Sequence, residues 1–196
     1  MGAGARRRGF TLIELLVTIS VFAFLMLLAA PSFTSWIQDA QVRTAAESLQ
    51  NGLRVAQAEA TRRHRQTAMV LTNGAPGSGV AAQANGKNWF VTVIANPLVT
   101  GEADTMLQSG AIGAVAPNAQ LTGPASICFN SLGRLTTLND GTYNCSVPPS
   151  GTVTYNVTNS RSATARALNV TVSLGGSIRV CDPSKSLSQG SPDACS

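Results

Sequence analysis

Histidine is all but missing from this sequence: His64 is the only one, and it stands in the run Arg62-Arg63-His64-Arg65. Such a setting is a poor one for a neutral general base. Patterns of the G-x-S-x-G or P-loop type are absent, as is a recognisable pair of catalytic carboxylates. The expectation is a protein that is not an enzyme, with no catalytic residues and no cofactor. Cysteines number four, Cys128, Cys145, Cys181 and Cys195, and none forms a C-x-x-C pair. With the lone histidine far away in sequence, that spacing argues against zinc, and no metal ligands are assigned. Charge is scarce at 12% and aromatics at 5%, yet the hydrophobic share of 44% excludes general disorder.

The formal net charge of +5 is unevenly placed. Arg6, Arg7 and Arg8 precede an apolar run. Taking those three from fourteen Lys and Arg leaves eleven against nine Asp and Glu, a balance of +2. So small a surplus gives no general case for nucleic acid or acidic membranes. Among 196 residues there is room for one ordinary domain and an accessory element.

From Phe10 to Ala30 the chain carries a single charge, Glu14. As a helix this stretch would be about 32 Å long, enough to span a hydrocarbon core. The arginines before it should stay cytoplasmic and the remainder be exported. Export favours disulfides over free thiols. Three pairings are open, and Cys128–Cys145 with Cys181–Cys195 is favoured because each closes a short, turn-rich loop worth roughly 3 kcal/mol. Glu14 would cost on the order of 2.5–3.5 kcal/mol at a membrane centre. A cut between Gly9 and Phe10 would create an α-amino group one turn before it. In a staggered bundle, that amine on one subunit can pair with Glu14 of its neighbour. A rival reading is a conventional or twin-arginine signal cut near Ala29-Ala30, which leaves Glu14 unexplained.

The stretch Arg8-Gly9-Phe10-Thr11-Leu12-Ile13-Glu14-Leu15-Leu16 resembles the type III signal of type IV pilins and type II secretion pseudopilins. The resemblance implies cleavage after Gly9 by a prepilin peptidase, methylation of Phe10, and an assembly role for Glu14. Pro31 matches the proline at which pilin helices bend, and its missing amide proton is expected to kink the helix. Implied partners are other pilins or pseudopilins, the peptidase, an inner-membrane assembly platform and inner-membrane lipid. The implied location is the bacterial inner membrane with a periplasmic head.

Beyond Pro31, Val42, Ala46, Leu49, Leu53, Ala56 and Ala60 recur at helical spacing, with Arg43, Glu47, Gln50, Arg54 and Glu59 between them. The helix should reach about Arg63. Strands are expected at Thr67–Thr72 and Trp89–Ile94, then around Ile127/Phe129, Val153–Val157, Leu168–Ser173 and Ile178/Val180. The stretch Asn96–Gly123 shows no persistent period. The expected fold class is α+β and pilin-like: a long N-terminal helix, membrane-spanning then amphipathic, packed on a C-terminal antiparallel sheet domain. The expected divisions are a leader at 1–9, a span at 10–30, an amphipathic continuation at 31–65 and a β-rich domain at 66–196.

Leu53–Gln66 and Phe129-Asn130-Ser131-Leu132-Gly133-Arg134 resemble the GspH/FimT group of minor subunits, and Ile178-Arg179-Val180-Cys181-Asp182-Pro183 resembles FimU-like minor pilins. That resemblance implies a minor pilin that initiates, primes or caps pilus assembly, with a type II secretion pseudopilin as the close rival. Some FimT-like pilins take up DNA through a Gly-Arg-x-Arg element. Here the corresponding stretch is Gly176-Ser177-Ile178-Arg179, which keeps Arg179 but has Ser177 in place of the first arginine. The cluster Arg62, Arg63, His64 and Arg65 could contact phosphates, so Arg62, Arg63 and Arg65, with Arg179 from the resemblance, are the candidate nucleic-acid contacts. The near-neutral remainder of the chain weighs against DNA as a partner, and a solvated helix end accounts for the first three.

Overall fold

Thr11 opens the long helix α1, Leu12–Arg63. Its Oγ1 accepts the Glu14 amide at 3.2 Å, so a hydroxyl caps one of the donors a helix start leaves unpaired. The computed structural model describes residues 10–195, with backbone alone at residues 27–31 and 189. The backbone of α1 stays helical through Pro31, the site of the expected kink. It stops at His64, whose φ of 52° is left-handed. The Arg65 amide then donates back to the Ala60 carbonyl at 3.2 Å, closing the last turn.

Two compact units meet in sequence between Ile37 and Gln38. The first, as described, is the opening part of α1, and its apolar side chains from Phe10 to Met26 are exposed. Among the described residues, no helix is long and apolar enough to cross a membrane. The expected span 10–30 includes residues 27–30, whose side chains lie outside the described set, as do Gly9 and the rest of the leader at 1–9.

The second unit begins with the rest of α1, so the amphipathic part of the helix belongs with the sheets rather than apart from them. In chain order there follow β1 (Thr67–Thr72), β2 (Asn88–Val93), β3 (Thr105–Ala111), a short α2 (Ile112–Val115), β4 (Ala119–Thr122), β5 (Ser126–Phe129) and β6 (Leu135–Thr136). Then come β7 (Leu138–Asn139), β8 (Asn144–Cys145), β9 (Thr152–Asn159), β10 (Leu168–Ser173) and β11 (Ile178–Cys181). The order β3-β2-β1-β5-β6 makes one sheet and β11-β10-β9-β4 a second, with β7-β8 as a small ribbon. All the pairings between these strands are antiparallel.

The helical stripe predicted from Val42 to Ala60 is completely buried. It serves both sheets: Met69, Leu71, Trp89 and Val91 of the first, and Val153, Tyr155, Val157, Val170 and Val172 of the second, share its core. The α+β helix-on-sheet expectation therefore holds, with two sheets in place of one. A second cluster on the far face of the first sheet holds Ala68, Val70, Phe90, Tyr143 and the Cys128–Cys145 disulfide. Being covered on both faces, β1 is buried at all six positions and reads as a continuous run.

The stretch without a period contains β3 and β4. Strand β3 lies at the sheet edge and is largely exposed, so burial writes no alternation into its sequence. Its Gly110 is required by packing: a Cβ there would stand 2.5 Å from the Trp89 ring. Strand β2 starts and ends one residue earlier than the predicted Trp89–Ile94.

Candidate functional site

Three regions concern function: the head of α1, its arginine-rich end, and the strand carrying Arg179. At the head, Phe10 is 83% exposed and Glu14 is exposed in the first helical turn. A carboxylate there is favoured by the positive end of the helix dipole, and the Thr11 cap fixes where that turn begins.

At the other end of α1, Glu59 gathers two of the candidate arginines. Arg62 donates through Nε and Nη2 at 2.9 and 2.7 Å, a bidentate fork, and Arg63 adds its Nε at 2.7 Å. The hydrogen bonds from Arg62, then those from Arg63, hold the Glu59 carboxyl down at about 2, against a smaller upward push from burial. Arg65 points elsewhere, donating to the Ile94 carbonyl at 3.0 Å and to Glu102 at 2.9 Å. Glu59 and Glu102 compete with any phosphate for these cations. His64 serves the backbone, since histidine is among the residues that more readily adopt the left-handed conformation needed after the helix.

Because the Glu59 carboxyl is depressed below its ordinary 4.5, it stabilises the folded state fully above that value. That contribution is lost as pH falls through about 2. Denaturant unfolding at pH 7 and pH 3 should show Glu59→Gln losing less stability on acidification than the wild type. Equal acid sensitivity in the two would rule out this ion triad as a contributor.

Arg179 sits apart from that group. On β11 its neighbours Ile178 and Val180 pack against the core, so Arg179 faces outward and is exposed. It lines a cavity of about 430 Å3 to which none of Arg62, Arg63 and Arg65 contributes.

The resemblance-bearing segments converge on a feature that sequence reasoning missed. Gln57 Nε2 donates to the Gly133 and Gly176 carbonyls, both at 2.8 Å. Gly133 lies in the β5–β6 turn and Gly176 in the β10–β11 turn, so one amide ties the helix to both sheets. Gly176 therefore has a packing reason of its own, independent of DNA: at φ 90°, a Cβ there would lie 2.2 Å from the Gly133 oxygen. The only available signal was glycine recurring in those two turns.

The C-terminal strap was equally hidden. Arg166 donates to Asp182 and, at 2.8 Å, to Asp193, while Lys185 reaches Asp193 at 2.6 Å. Asp182 is 2% exposed. Burial pushes its carboxyl up, but hydrogen bonds from Ser184 and Arg166 outweigh that and leave it below the ordinary range. The Arg166 amide also donates to Asp39 at 2.8 Å, and the Cys181–Cys195 disulfide closes the strap with Cα atoms 5.0 Å apart. Among the described residues, no cluster of histidine, cysteine and acidic groups could hold a metal.

The fold and these regions can be set beside known proteins. A model of the prokaryotic N-terminal methylation motif matches residues 4–30, and one described as type II transport protein GspH matches residues 45–176. The crystal structure of type IV minor pilin FimU from Pseudomonas aeruginosa is similar at a TM-score of 0.51 and 16% identity, covering 74% of this chain and 92% of that one. The minor pseudopilin EpsH of the type 2 secretion system of Vibrio cholerae aligns at 0.47 and 12% identity, over 74% and 99% of the two chains. At these identities the likeness to FimU speaks to fold alone. No curated protein sequence matches the chain. Since the GspH model spans more than half of its residues, this chain belongs to the GspH family, a pilin-like helix-and-sheet protein with an N-terminal methylation motif.

Proposed function

We propose that this chain is a minor pilin, a structural subunit that helps to initiate, prime or cap a type IV pilus. The observation that carries the reading is Glu14, one exposed carboxylate in the first turn of a helix whose surroundings from Phe10 to Met26 are mostly apolar and otherwise uncharged. Apolar surface of that extent needs a covering partner. In this reading the leader through Gly9 is removed by a prepilin peptidase and Phe10 becomes the methylated N-terminus. The segment 10–30 rests in the inner membrane and then passes into a bundle of like helices. An assembly platform draws the subunit in, and the sheet domain faces its filament neighbours.

A type II secretion minor pseudopilin is the second reading, favoured by the match to a type II transport protein model. The two share the same physics and differ in the machine served. A DNA receptor has less support, because Arg62, Arg63 and Arg65 are already engaged by carboxylates.

The test is the mature N-terminus. Mass spectrometry of protein purified from membranes should find a chain beginning at Phe10 with one added methyl group. A chain beginning near Pro31, or one retaining Arg6 to Arg8, would sink the proposal.

A further inference from the structure

Register in the second sheet places three side chains in one rank. Thr171 on β10 stands opposite Thr154 on β9 and opposite Arg179 on β11. Their strand neighbours Val153, Tyr155, Val170, Val172 and Val180 join the core, so this rank faces away from it. Two residues along, Asn156 and Asn169 form the next rank beside Cys181, and Asn156 Nδ2 donates to Asn169 Oδ1 at 2.8 Å. That bond leaves one carbonyl oxygen and one amide group of the pair for a ligand.

Strands lie about 4.8 Å apart, so each rank of three spans about 10 Å. The cavity of about 430 Å3 is lined by Thr154, Thr171, Arg179, Asn169 and Cys181 of these ranks, and its far wall includes Cys195, held in place by the C-terminal strap. Arg62, Arg63, Arg65 and Arg166 all meet carboxylates, whereas Arg179 meets none among the described residues. Thr171 spends its hydroxyl proton on the Arg179 carbonyl at 3.5 Å, a long bond that a better acceptor could replace.

We propose that this face binds an acidic polysaccharide, with a uronate carboxylate on Arg179 and sugar hydroxyls on Thr154, Thr171 and Asn169, whose amide is held by Asn156. A free guanidinium offers a planar fork that matches a carboxylate through two parallel bonds. The ratio of groups selects the class. One cation stands among several neutral donors and acceptors, as suits a polymer with one carboxylate per sugar amid many hydroxyls. Duplex DNA carries a charge every 1.7 Å or so and demands several cations. Single strands are held largely by stacking on aromatic rings, and none lines this cavity.

The test uses the full-length protein in detergent micelles with fluorescent oligogalacturonate as the probe, and dextran and a short DNA duplex as competitors. Saturable binding of the uronate is expected, with little competition from dextran or duplex. Arg179→Gln should weaken it roughly tenfold or more, and Thr171→Val several-fold. Arg179→Lys should fall between wild type and Arg179→Gln, because it keeps charge without the fork. Arg62→Gln should bind as wild type does. Thermal melts matching wild type establish that the variants are folded, and Thr171→Val supplies an independent reading should Arg179→Gln not fold. Absence of uronate binding, or equal binding by wild type and Arg179→Gln, overturns the proposal. So does displacement of the uronate by duplex DNA at lower concentration than by unlabelled oligogalacturonate, which would make the face a DNA site.

Discussion

Replacing Gly176 with alanine should lower the free energy of unfolding by about 3–4 kcal/mol. Two costs add. At φ 90° an alanine would carry about 1–2 kcal/mol of backbone strain. Its Cβ would also need space 2.2 Å from the Gly133 oxygen and 2.3 Å from Gln57 Nε2. Making room separates the amide from one or both buried carbonyls, and each acceptor left without a donor costs about 1–3 kcal/mol. Gly141 provides the control. It has a similar φ of 86°, but nothing lies within 4 Å of the Cβ an alanine would add. Gly141→Ala should therefore show the strain alone, about 1–2 kcal/mol. Urea unfolding separates the two, with midpoints moving and slopes unchanged. Similar losses at both glycines would mean that the Gln57 link does not couple the sheets to the helix.

Glu14→Leu should leave export, cleavage and folding of the sheet domain intact, yet reduce incorporation into filaments by about a hundredfold to a few thousandfold. The size follows from charge burial. In the proposed bundle, the α-amino group of a neighbouring Phe10 loses its counter-charge, and an uncompensated buried charge costs about 3–5 kcal/mol. Each 1.4 kcal/mol is tenfold in occupancy. Leucine adds apolar surface, so simple loss of hydrophobic anchoring cannot explain a decrease. Comparing the subunit in sheared filaments with that left in membranes checks the expectation. Wild-type incorporation by Glu14→Leu would remove the pairing.

These two effects differ in how legible they were. Glu14 stands out in the chain itself, because a lone acid in an apolar run violates local expectation. Gln57 does not: its partners are 76 and 119 residues away, and a glutamine on a wet helical face has many bland explanations. Gly176 was visible within a motif, and its reason emerged only when the two turns came together around one amide.

What the sequence determined by itself was everything with a short period. The stripe from Val42 to Ala60 and the alternation in β9 and β10 repeat within a few residues, and burial of one face imposes that repeat. Tertiary structure decided whatever depends on distant neighbours. It covered β1 on both faces, left β3 at an exposed edge, engaged Arg62, Arg63 and Arg65 with carboxylates, and gave Arg179 none among the described residues. The reason is physical. Periodicity records which side of an element avoids water, whereas pairing of charges and closure of turns depend on which elements meet in space.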